Sequence, residues 1–135
     1  MLKSIVWLTL CVIVTSSASA QHFEYNYGTG SYACKTADGK SKRVLVFTQA
    51  FGSCPAEIDT GKLIKTYAYD FDKAARAACG GSLSVPGDYL VGWGWGQQSE
   101  AQTRLQQDKL SKARDNFFIV TDIFISLPYS SKCRP

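Results

Sequence analysis

The sequence predicts an α+β domain, with a small antiparallel-rich sheet, two helices packed on one face and two disulfides, following a cleaved signal peptide. Three observations predict it. Period-two apolar runs recur along the chain. Two segments carry helix start and stop signals. Once a leader is removed, the chain keeps an even number of cysteines, Cys34, Cys54, Cys79 and Cys133.

The leader comes first. Lys3 precedes the apolar run Ile5–Val14, and Ala18-Ser19-Ala20 supplies the small residues a signal peptidase accepts. The run is too short to span a bilayer. Residues 1–20 are therefore expected to be a signal peptide and residues 21–135 a single exported domain, secreted or periplasmic, with no membrane insertion. An even cysteine count in an oxidising compartment reads as disulfides. Sequence allows three pairings of four cysteines; we expect Cys34–Cys54 across the hairpin region and Cys79–Cys133 tying a helix to the tail.

Phe23, Tyr25 and Tyr27 alternate with polar residues, as in a half-buried strand. Asp38-Gly39 joins two further strands, because both residues tolerate the turn's backbone. Val44-Leu45-Val46-Phe47 is continuously apolar, so both faces of that strand should be covered. Phe51–Gly61 reads as a loop and Lys62–Tyr69 as a strand, with Tyr67, Tyr69 and Phe71 on one side. Asp70 or Asp72 then caps a short helix, Lys73–Cys79, which Gly80-Gly81 ends. Pro86-Gly87-Asp88 is a turn and Tyr89–Gly96 a strand. Ser99-Glu100-Ala101-Gln102 matches a capping box opening the longest helix, with Glu100–Arg104 and Asp108–Lys112 as i,i+4 pairs. Phe117–Leu127 is apolar on both sides and belongs in the middle of the sheet.

The hairpin Tyr32-Ala33-Cys34-Lys35-Thr36-Ala37-Asp38-Gly39, followed by Val44-Leu45-Val46-Phe47, resembles the opening hairpin of bacterial periplasmic C-type lysozyme inhibitors. That family implies a small β-barrel whose later Ser-Gly loop enters the lysozyme cleft. The loop is missing from this chain, and no residue role is carried over.

Composition excludes several functions. Losing Lys3 with the leader lowers the formal charge of +4 by one, a surplus too small to mark a nucleic-acid or membrane surface. His22, the only histidine, lies beside the expected new terminus, so a Ser-His-Asp or Cys-His triad has nothing to build on. The cysteines lack metal-site spacing, and no glycine loop opens a phosphate turn, so no metal or cofactor is expected.

The most unusual segment is Tyr89-Leu90-Val91-Gly92-Trp93-Gly94-Trp95-Gly96. Period two puts Tyr89, Val91, Trp93 and Trp95 on one face, where the rings either fill the core or form a ledge for a sugar or a protein. We therefore expect a binding protein, of the inhibitor, immunity or effector kind, without catalysis. Tyr89, Trp93 and Trp95 would be its ligand-binding residues, and its partner a protein or an envelope glycan. The alternative is a small secreted hydrolase using two carboxylates from among Glu24, Glu57, Asp59, Asp70, Asp72 and Glu100.

Overall fold

In the computed structural model the described residues are 24–53, 60–85, 87–91 and 94–126, with 60–64 and 91 described by their backbone alone. The expected leader, Cys54, Trp93 and Cys133 lie outside them. The elements run β1 (Glu24–Asn26), β2 (Gly28–Lys35), β3 (Ser41–Thr48), β4 (Phe51–Ser53), α1 (Thr60–Cys79), β5 (Ser82–Leu83), β6 (Asp88–Val91), α2 (Gln98–Ala113) and β7 (Phe118–Ile123). The fold is mixed α+β, as expected.

A hairpin founds the sheet. β2 and β3 pair antiparallel from Thr29↔Phe47 to Lys35↔Ser41. Gly39 takes the turn with φ +84°, while its N–H donates to Thr36 O at 2.9 Å. β4 continues β3 and pairs with β1 at Tyr25↔Gly52. On the other edge of β2 lie β5 and β6, and on the outer side of β3 lies β7, parallel to it.

Helices cover both faces of this sheet. Val44, Val46, Tyr32 and Ile119 pack with Phe71, Ala75 and Cys79 of α1. Leu45, Phe47, Tyr27 and Val120 pack with Leu105 of α2. The expectation of two helices on one face is thus corrected. Adjacent residues of a strand point oppositely, so the continuous apolar run 44–47 requires a layer on each side. The same fact corrects the reading of 117–127. The strand is β7, it ends the strand order, and its two apolar sides face two helices rather than two neighbouring strands. Nor is the architecture a barrel, so the lysozyme-inhibitor resemblance stops at the hairpin.

α1 also replaces the expected strand and short helix over 62–79. Tyr67, Phe71, Ala75 and Cys79 recur every fourth residue, and Phe71 and Ala75 are wholly buried. Tyr69, which alternation placed beside Tyr67 and Phe71, is 75% exposed. The spacing of four wins because the helix buries a stripe against the sheet, at about 2–3 kcal/mol for a buried Phe. Gly80 ends α1 with φ +67°, its N–H donating to Arg76 O at 3.2 Å. A Cβ on Gly81 would stand 2.0 Å from Lys35 O, so only glycine lets this turn close on β2. There Cys79 joins Cys34, with Cα atoms 5.9 Å apart. This overturns both expected pairings. With 62–79 a single helix, its C-terminus lands beside β2, and the hairpin cysteine meets it.

α2 opens at Gln98 with Gln97 as N-cap and no side-chain cap, so the expected capping box at Ser99 does not form. Asp108 and Lys112 are also committed elsewhere. Asp108 accepts from the Tyr27 hydroxyl, and the Lys112 ammonium lies 4.7 Å from the Phe118 ring centroid. Among the described residues no helix is long and apolar enough to cross a membrane.

Candidate functional site

The aromatic strand divides. β6 pairs with β2 as Gly28↔Val91 and Gly30↔Tyr89, whereas further on Trp95 bridges Tyr25. The register shifts by one residue between Val91 and Trp95, and a one-residue slip sends side chains to the opposite face. Tyr89 therefore packs beneath α1, while Trp95 stacks on Tyr27 beneath α2, ring centroids 5.5 Å apart and planes 5° from parallel. Tyr89 and Trp95 do not share one ledge. Trp93, the third expected binding residue, is outside the described residues.

Tyr89 instead belongs to an internal polar network. The Tyr32 hydroxyl donates to Asp72 Oδ1 at 2.8 Å, the Tyr89 hydroxyl reaches the same oxygen at 3.2 Å, and the two hydroxyls lie 2.9 Å apart. Burial, then these bonds, raises the Tyr32 phenol well above the ordinary tyrosine value, and burial raises Tyr89. Asp72 is thus neither a helix cap nor an open catalytic carboxylate. It lies in the body of α1 and fixes two phenols. Tyr27 is raised by burial and by its bond to Asp108.

Two grooves lie along α2. One groove, of about 390 Å³, is lined by Trp95, Glu100, Arg104 and Gln107. Trp95 is half-buried, and its stacking on Tyr27 occupies one face of the ring.

A larger groove, about 740 Å³, runs on the other flank between α2, β4 and the exit of β7. Phe51, Leu105 and Ile125 supply buried apolar surface, and Phe124, 79% exposed, stands at its side. Gln98, Gln102 and Gln106 project from successive turns of α2 into it. Their amides hold no bond to any described residue, and each carries an acceptor and two donors. Gln49 is different. Its Nε2 donates to Ile125 O at 2.5 Å and its Oε1 accepts from Ile125 N–H at 3.0 Å, fixing the groove's floor. Tyr67 adds a bond to Ser126 O at 2.6 Å. No titratable side chain is among the groove's described lining residues.

Capping and i,i+4 charge patterns on α2 do not point to this groove. The signal was present, in glutamines at i, i+4 and i+8. Of the six candidate carboxylates, Glu57 and Asp59 lie outside the described residues. Among the described residues no group of three His, Cys, Asp or Glu side chains is placed to hold a metal ion.

Comparison with protein-family models, with curated proteins and with solved structures returned no match.

Proposed function

We propose that this chain is an exported, disulfide-stabilised binding protein whose groove beside α2 takes a neutral glycan. One observation carries the reading. The groove of about 740 Å³ combines three glutamine amides that bond no described residue with an apolar floor and an exposed phenyl ring, and its described lining holds no charge. Amides pair with hydroxyls as both donor and acceptor, and apolar side chains suit the C–H face of a sugar ring. An anionic or cationic partner would meet no counter-charge there, and a hydrolytic reaction no acid or base.

Export is supported by the leader-like residues 1–20 and by the Cys34–Cys79 bridge. With those two joined, the even count pairs Cys54 with Cys133. Gln49 ties Ile125 to the segment between β3 and β4, the strand that ends one residue before Cys54.

The test is an amide-resonance titration of the mature protein with neutral oligosaccharides, beside a Gln102→Ala/Gln106→Ala double variant. Both positions are exposed, so the variant keeps its fold. Shifts confined to Gln98–Gln106 and Phe124, and lost in the variant, support the reading. A protein partner captured by the wild type and lost by the variant would keep the groove and replace the glycan. Saturable glycan binding that the variant leaves unchanged would refute the groove.

A further inference from the structure

Independently of the groove's ligand, we propose that β7 is an edge at which two copies of this chain join into one continuous sheet. Among the described residues β7 ends the strand order, with β3 on its inner side. Arg43 N–H donates to Phe117 O at 2.9 Å. In a parallel ladder alternate residues bond the same neighbour, so Ile119, Thr121 and Ile123 spend their backbone groups on β3. The N–H and C=O groups of Val120 and Asp122 point outward, and no described residue meets them. Such a row is a template for another strand, and edges meant to stay single are usually blunted by lysine, proline or a bulge. The sequence Phe118-Ile119-Val120-Thr121-Asp122-Ile123 has no lysine or proline. Its only charge, Asp122, is already matched by Lys109 Nζ at 2.6 Å. Large exposed rings flank it, Phe117 at 47% and Phe124 at 79%.

The strand fits itself. Two copies meeting antiparallel about an axis normal to the sheet place residues of the same face opposite one another. With Thr121 on the axis, Ile119 faces Ile123 of the second copy, Phe118 faces Phe124, and Val120 exchanges both backbone bonds with Asp122. Sliding the axis to Val120 would set Phe118 against Asp122. Sliding it to Asp122 would set two carboxylates face to face, which is unfavourable. The central register sets Ile119 against Ile123 and Phe118 against one side of Phe124, with Val120 opposite the Asp122 that Lys109 already neutralises. It also holds the Phe124 ring in place at the side of the groove.

Sedimentation equilibrium on the full mature protein tests this. The wild type should be a dimer across the micromolar range. Thr121→Lys should raise the dissociation constant by about a hundredfold, because two ammonium groups would face each other on the axis. Its far-ultraviolet circular dichroism should match the wild type, since Thr121 is only partly buried. Thr121→Cys should give a reducible cross-linked dimer on a denaturing gel, because opposed residues of this kind lie about 4.5 Å apart, within disulfide reach. Thr103→Cys, on the exposed side of α2, should not. A wild type that stays monomeric throughout, or a dimer indifferent to both changes at Thr121, would overturn the proposal.

Discussion

Replacing Cys34 and Cys79 together by alanine should remove much of the domain's stability. The bridge spans a sequence separation of 45. Closing a loop of that length withdraws about 13 cal/mol/K from the unfolded chain, or about 4 kcal/mol at room temperature. Domains of this size have about 5–15 kcal/mol in all, so the loss is a large fraction. Both cysteines are buried, at 4% and 5% exposure, so alanine is chosen to avoid adding an unpartnered hydroxyl. In urea, with a slope of about 1.5 kcal/mol/M, the midpoint should fall by about 2.5 M with the slope little changed. Peptide mapping of the oxidised wild type should find Cys34 joined to Cys79 and Cys54 to Cys133. A midpoint shift below about 0.5 M would refute the entropic argument. Recovery of Cys34 joined to Cys54 would refute the pairing and, with it, the docking of the α1 terminus on β2.

Three further outcomes follow from particular contacts. Asp72→Ala leaves the Tyr32 and Tyr89 hydroxyls without their shared acceptor and should cost about 3 kcal/mol by thermal melting, whereas Asp72→Asn, which keeps an acceptor, should cost less than half of that. Gly81→Ala drives a Cβ into Lys35 O and should cost about 3 kcal/mol; an unchanged melting temperature would show the turn to be slack. Tyr27, Tyr32 and Tyr89 are raised above the ordinary value of 10.0, so the stability from keeping them protonated is full below that pH and is lost as pH climbs through their raised values. Tyrosinate absorbance should therefore include a late, cooperative rise that coincides with loss of near-ultraviolet circular dichroism; complete ionisation in a folded protein would refute it.

What the sequence made legible was local. The Asp38-Gly39 hairpin, the strand at Val44–Phe47 and the stop at Gly80-Gly81 each rest on backbone preferences of a few neighbouring residues, and each is present. What it concealed was decided at longer range. Residues 62–71 satisfy both an alternating and a helical pattern, and the α1 face of the sheet selects the latter. The bridge Cys34–Cys79 could not be seen until α1 was one helix, because only then does its end reach β2. The slip between Val91 and Trp95 leaves no mark in a run of alternating glycines and aromatics, since either register reads as period two. At the candidate site, the glutamines of α2 were visible, but a polar side chain facing a groove and one facing solvent are written identically.

The two helices divide the work of the molecule. α1 buries Phe71, Ala75 and Cys79 against the sheet, carries the disulfide and holds the Tyr32–Tyr89–Asp72 network, so nearly every change on its inner stripe costs stability. α2 buries only Ala101 and Leu105. It is pinned instead by contacts near its C-terminal half: Asp108 with Tyr27, Lys109 with Asp122, and Lys112 over Phe118. Its first two turns hold both of those buried residues on one side, while Gln98, Gln102, Glu100 and Arg104 stand exposed around them, and both grooves open there. Surface positions of that kind can be exchanged at small cost in stability. Substitutions at those four exposed positions should therefore alter binding while the fold stands, whereas substitutions in the buried stripe of α1 should abolish both together.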